Sequence, residues 1–155
     1  MHNDGPGVVR YQRARFAAEL PADYLYSAAH FWLARQGEDG WRVGLTKFGT
    51  RLLGEVVDYG FGAAPGALVA PGQVIGWIEG FKAIADLRCV AAGRFAGGNP
   101  ALETDAALVN KDPHGAGWLY AVQGRPDPQC VDAQGYARIL DQAIDRLLAQ
   151  QNERG

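Results

Sequence analysis

The sequence has little of what most functional classes need in quantity. It contains two cysteines, Cys89 and Cys130, and neither belongs to a Cys-x-x-Cys pair. That excludes a disulfide framework and makes a reducing cytoplasm the expected compartment. The three histidines, His2, His30 and His114, lack the short spacings through which one helix or turn offers two ligands to a metal, so no metal site is expected. With 15 Lys and Arg against 17 Asp and Glu, the formal net charge is −2. Such a chain has no broad attraction for phosphate backbones or anionic lipid, and neither nucleic acid nor a membrane is an expected partner. No run reaches the ~20 apolar residues of a membrane span. The opening Met1-His2-Asn3-Asp4-Gly5-Pro6-Gly7 has no apolar stretch of the kind a secretory signal carries. Also missing are a Gly-x-Ser-x-Gly elbow, a phosphate loop ending in Lys-Ser or Lys-Thr, and a dinucleotide fingerprint; Gly93 to Gly98 is glycine-rich at the wrong spacing. Catalysis by the chain alone is therefore not expected.

Glycine is what the chain has in excess. Twenty-one glycines and eight prolines among 155 residues favour short strands and sharp turns over long helices. The length is that of one domain, and 48% hydrophobic with 21% charged residues is an ordinary globular balance. A mainly β fold is expected. Within it we read three stretches: a leader over 1–25, a β-rich body over 26–125, and a helical segment over 126–155 packed on that body. The leader carries Arg10, Arg13 and Arg15, read as a solvated, loose terminus rather than a binding arm.

Local signals order the body. The apolar stretch Tyr26 to Leu33, the turn Gly37-Glu38-Asp39-Gly40 and the alternating Trp41 to Leu45 read as a hairpin. Phe48, Leu52 and Leu53 fall at helical spacing, with Thr46 placed as N-cap and Gly54 as stop, which predicts a short helix over 47–53. Val56, Val57 and Tyr59 resume a strand, and another is expected around Gly117 to Val122. Beyond Pro126 and Pro128, apolar residues from Tyr136 to Leu148 recur at three- and four-residue steps. This is an amphipathic helix with Asp132 as N-cap, its stripe expected to face the β body.

Between the apolar runs Val74 to Ile78 and Ile84 to Leu87 lies a polar interruption, Glu79-Gly80-Phe81-Lys82. Gly80 is read as the residue that gives this turn its backbone freedom. Lys82 is then expected at a hairpin tip, projecting from the body. Taken alone, such a lysine is an ordinary solvated side chain.

Five segments change that reading. Tyr26-Ser27-Ala28-Ala29-His30-Phe31-Trp32, Val43-Gly44-Leu45-Thr46, Leu53-Gly54-Glu55-Val56-Val57, Glu79 to Leu87, and Leu108 to Leu119 stand in the order and spacing of the glycine cleavage H-protein family. The resemblance spans about Tyr26 to Val122. It implies a flattened antiparallel β-barrel of the lipoyl-domain, or barrel-sandwich hybrid, type, with a short internal helix and a C-terminal amphipathic helix. It also implies a non-catalytic carrier with a lipoyl group in amide linkage to the lysine of a Glu-x-x-Lys-Ala motif, here Lys82 within Glu79-Gly80-Phe81-Lys82-Ala83. Implied partners are a lipoate ligase or lipoyltransferase, glycine decarboxylase, aminomethyltransferase and dihydrolipoyl dehydrogenase. The Met-Lys-Met tip of biotin carriers is absent.

The chemistry is consistent with that implication. A group carrier presents and orients its group and limits side reactions, and amidation turns a charged lysine into a long, mostly apolar arm. Phe81 is read either as an apolar footing for the arm or as a core contact of the tip. His30, Phe31 and Asp86 are the residues that the resemblance places in the cleft receiving the loaded arm. There the sequence departs from the family: Phe31 stands where a His-Glu-Trp motif has its acid, Ala29 replaces a polar neighbour, and Asp86 alone keeps a carboxylate. A phenyl ring cannot hold a protonated amine by charge as a carboxylate does. Two alternatives follow: an H-like lipoate-binding protein serving sulfur-oxidation enzymes, its apolar cleft having Arg88 nearby, and a non-lipoylated interaction module docking through the tip around Phe81. Cys89 is read as a small core residue rather than a thiol serving the arm.

Overall fold

Alternation of apolar and polar residues accounts for most of the architecture. The computed structural model describes residues 7–154. Its strands are β1 (Val8–Arg13), β2 (Phe16–Pro21), β3 (Leu25–Tyr26), β4 (Phe31–Gln36), β5 (Gly40–Leu45), β6 (Val56–Phe61), β7 (Leu68–Val69), β8 (Val74–Gly80), β9 (Ile84–Arg88), β10 (Ala91–Gly98) and β11 (Tyr120–Pro126). The helices are α1 (Lys47–Leu53), α2 (Leu108–Lys111) and α3 (Ala133–Arg154), with a tight turn of 3-10 helix at Pro100–Glu103. All strand pairs are antiparallel. One sheet runs β3-β4-β5-β11-β10-β7, a second β6-β8-β9, and a third is the β1-β2 hairpin.

The six- and three-stranded sheets close over one core that includes Leu33, Val43, Ile75, Ile78, Leu87, Phe95 and Tyr120, all almost fully buried. Each large apolar side chain so removed from water contributes roughly 1.5–3 kcal/mol. The expected mainly β body with its short internal helix is present. Thr46 caps α1 by accepting from the Gly49 amide at 3.1 Å, and Gly54 ends it at φ +81°. The Asp132 carboxylate accepts from the Gly135 amide at 2.8 Å and starts α3.

A second core lies outside the barrel. Tyr11, Phe16, Ala18 and Leu20 from the β1-β2 hairpin meet Tyr26, Trp32, Phe48 and the α3 residues Tyr136, Leu140 and Ile144. This corrects the reading of residues 7–25 as a loose leader; residues 1–6 of that stretch lie outside the described residues. Phe16 to Leu20 alternates buried and exposed along β2, and Arg13, read there as solvated, pairs with Asp145 of α3 at 2.9 Å. Two smaller differences concern the ends of elements. Leu147 and Leu148, expected on the packed stripe, are exposed because α3 runs beyond the body it covers. The last strand begins at Tyr120 rather than near Gly117, and half-buried Trp118 lies instead under the Arg42 guanidinium, 4.7 Å from its centroid.

Candidate functional site

The tip between β8 and β9 is held by main-chain hydrogen bonds. Glu79 pairs with Ile84, and the Gly80 amide donates to the Ala83 carbonyl at 2.8 Å to close the turn. The Phe81 amide donates to the Glu55 carbonyl and the Lys82 amide to the Leu53 carbonyl, both at 3.0 Å, so the tip leans on the end of α1. Two glycines permit this approach. A Cβ on Gly80 would stand 2.2 Å from the Leu53 carbonyl oxygen. Gly80 is not among the positive-φ residues, so it is required for close contact and not, as the sequence suggested, for turn freedom. Gly54 combines its positive φ with a site where a Cβ would lie 3.0 Å from both the Lys82 amide nitrogen and its Cγ. Asn110 of α2 grips the same loop, donating to the Gly54 carbonyl at 3.1 Å and accepting from the Val56 amide at 2.9 Å.

With the backbone fixed, the side chains of the tip face solvent. Lys82 is exposed, and its Nζ donates to the Arg51 carbonyl at 3.1 Å, where the C-terminal end of α1 favours a cation. Among the described residues it enters no ion pair. Phe81 is 76% exposed, which rules out the reading that made it a core contact of the tip. Ile84 is 68% exposed, and Glu79 faces solvent.

Beside the tip opens a cleft of about 430 Å³, lined by residues that include Ala29, His30, Phe31, Leu52, Ala83 and Asp86. Of the residues singled out in the sequence, His30, Phe31, Ala83 and Asp86 thus come together, while Glu79, Gly80, Phe81 and Lys82 stand outside the lining. Sequence reasoning missed Gly49, Leu52, Leu53 and Ile78, which also line the cleft. Leu52 and Leu53 had been noted only for their helical spacing, and Asn110 lay unassigned inside a family-like segment.

The cleft is mostly apolar, and both its carboxylate and one nitrogen of its imidazole already have partners. The Asp86 carboxylate stands 3.9 Å from the Arg88 guanidinium, an ion pair open to solvent. His30 sits at φ +73°, in the left-handed region, held by its own amide on the Ser27 carbonyl and by its carbonyl accepting from the Thr46 amide. Burial pushes its imidazole down to about 4, so the ring is neutral near pH 7. Its Nδ1 lies 2.8 Å from the Tyr136 hydroxyl. Neither cysteine reaches the cleft lining. Burial raises the Cys89 thiol, which donates to the Ala91 carbonyl, and pushes the Cys130 thiol up to about 11. The arrangement lacks a nucleophile with an adjacent free base. What it can do is present a side chain and shelter what that side chain bears.

Comparison with known proteins agrees with this geometry. The family model described as glycine cleavage H-protein matches residues 24–141. The glycine cleavage system H protein of Mycobacterium bovis is 36% identical over 140 residues, covering 89% of this chain and 96% of its own. That of Mycolicibacterium smegmatis is 38% identical over 133 residues, covering 84% and 91%. The crystal structure of a glycine cleavage system H protein from Mycobacterium marinum superposes with a TM-score of 0.68 at 33% identity, covering 76% of this chain and 96% of that one. The chain belongs to the glycine cleavage H-protein family, the non-catalytic lipoyl carriers of the glycine cleavage system.

Proposed function

We propose that Lys82 is the lipoyl attachment residue, that Glu79, Gly80, Phe81 and Ala83 form the motif around it, and that His30, Phe31 and Asp86 belong to the cleft that receives the loaded arm. One observation carries this reading: an exposed lysine amine stands on a tip whose backbone is pinned by Gly54, Gly80 and the α1 end, next to an apolar cleft. The fixed backbone gives an attaching enzyme a defined presentation, and the amine has only a carbonyl to give up. When bound, the lipoyl group would supply a dithiolane whose disulfide can open to a dithiol or to a thiol-bound adduct in exchange with partner enzymes. The chain's own part is to hold the root of the arm on α1 and to offer its free end an apolar shelter.

The partners proposed are a lipoate ligase or lipoyltransferase, and then glycine decarboxylase, aminomethyltransferase and dihydrolipoyl dehydrogenase in the cytoplasm. Two cysteines, both unpaired in the structure, agree with a reducing compartment. The sulfur-oxidation reading is not favoured, since family and relatives carry the glycine cleavage name. Intact mass after co-expression with a lipoate ligase and lipoate tests the proposal. One lipoyl addition is expected, and it should vanish in Lys82→Ala; an unmodified chain, or an addition that persists in the variant, overturns it.

A further inference from the structure

The C-terminal helix reaches His30, a residue of the cleft lining, through two hydroxyls. Tyr136 of α3 is fully buried and stacks on Tyr26, with centroids 4.8 Å apart and planes at 7°. Its hydroxyl lies 2.7 Å from Thr46 Oγ1 on one side and 2.8 Å from His30 Nδ1 on the other. Which atom donates follows from counting protons. Thr46 is 1% exposed, and its Oγ1 already accepts from the Gly49 amide. Among the described residues its own proton has one acceptor within reach, the Tyr136 oxygen. A buried hydroxyl proton left without a partner costs about 1–3 kcal/mol, which sets the direction of the chain. Thr46 donates to Tyr136, Tyr136 donates to His30 Nδ1, and the imidazole proton is left on Nε2.

We propose that Thr46 and Tyr136 are positioning residues that hold cleft-lining His30 as the neutral Nε2–H tautomer, so that this imidazole serves the arm as a hydrogen-bond donor and not as a base. The Nδ1 lone pair is occupied by Tyr136, and Nε2 has no protein partner among the described residues. The group recognised is therefore a hydrogen-bond acceptor on the arm or its cargo. An ammonium group finds only Asp86, which Arg88 already faces. The tautomer follows from the protein alone, whereas its use by the arm rests on Lys82 being the lipoyl site.

Long-range ¹H–¹⁵N correlation of the histidine rings in the unlipoylated full chain reads the tautomer directly. His30 is expected with an unprotonated, hydrogen-bonded Nδ1 and a protonated Nε2; a proton on Nδ1 overturns the proposal without any variant. Tyr136→Phe keeps the ring stack and removes the donor, so the two His30 tautomers should then mix, while Thr46→Ser should preserve the single form. An unchanged His30 pattern in Tyr136→Phe also overturns the positioning role. In protein whose mass shows one lipoyl group, the His30 Nε2–H signal should shift relative to the unlipoylated chain. A lipoylated protein with an unmoved signal overturns the donor role toward the arm. Failure of Lys82 to take lipoate strikes instead at the carrier reading, which the mass separates from the tautomer result.

Discussion

The tip around Lys82 and the annex formed by β1, β2 and α3 are held to the same barrel by opposite means. At the tip the backbone does the holding: amides of residues 80, 81 and 82 each find a carbonyl, two glycines admit the close approach, and large apolar side chains point outward. In the annex the side chains do it, through Tyr11, Phe16, Leu20, Tyr136, Leu140 and Ile144 in one aromatic-rich cluster. A segment fixed by its backbone leaves its side chains free for chemistry. A segment fixed by side chains spends them on burial and serves as support. His30 is where the two meet, since it lines the cleft beside the tip and bonds to Tyr136 of the annex.

The contrast can be broken from either side. The largest effect is expected from Lys82→Arg, which should abolish lipoyl addition by mass while leaving the unfolding free energy in urea within about 0.5 kcal/mol of the parent, as for other exposed positions. In the annex, Leu140→Ala removes a fully buried side chain and should cost about 2–5 kcal/mol by chemical denaturation, yet lipoylation of the folded fraction should proceed at the parental rate. A parental stability would show that the annex is not packed as described.

Acid should strike the junction. Burial holds both His30 and His114 below the usual imidazole range, and the His114 Nε2 accepts from the Lys47 amide at 3.0 Å. The folded protein therefore binds fewer protons than the unfolded chain, so the stability tied to these rings is complete above about pH 6.5 and falls as pH drops through that value. For His30 the loss continues to about pH 4 and amounts to roughly 2–3 kcal/mol after allowing for partial exposure. Urea unfolding at pH 7, pH 5 and pH 4 follows the loss, most of it appearing between the first two, and His30→Gln should flatten the slope. Gly80→Ala reverses the logic at the tip: its Cβ must push the Leu53 carbonyl away, at about 1–3 kcal/mol, and lipoylation should slow because the presentation itself shifts.

What could be read in the sequence followed the range of its signals. α1 lies within ten residues of both its cap and its stop, α3 carries its own period and its Asp132 cap, and the β8-β9 hairpin is two apolar runs around a short interruption. These are local. The annex hairpin was missed because an arginine cluster masked the alternation from Phe16 to Leu20, and because Arg13 finds Asp145 across 132 residues. Gly80 was placed on the right turn for the wrong reason: its crowding comes from Leu53, which no local pattern reveals. The cleft was half legible. His30, Phe31, Ala83 and Asp86 came from a resemblance, whereas Leu52 and Ile78 enter only when α1 and β8 are brought together.

The smallest expected effect concerns cargo, and it sharpens the comparison by adding charge to the sheltered side alone. In a single-turnover mixture with glycine decarboxylase, aminomethyltransferase and dihydrolipoyl dehydrogenase, the disulfide should cycle normally, because that exchange needs the tip and not the cleft. The aminomethyl adduct should persist for less time than on a relative with an acid at the position of Phe31, since Asp86 is the one cleft carboxylate and faces Arg88 at 3.9 Å. Arg88→Gln should lengthen the adduct's lifetime a few-fold by leaving Asp86 to the amine. Phe31→Glu places a second carboxylate at the wall, but Phe31 is 7% exposed and belongs to the main core, so part of its gain is offset by the cost of desolvating the charge. The lifetimes are read by mass spectrometry on the intact chain. Equal lifetimes in the parent, Arg88→Gln and Phe31→Glu proteins would mean that the adduct is kept by the cleft's exclusion of water, with charge playing no part in its retention.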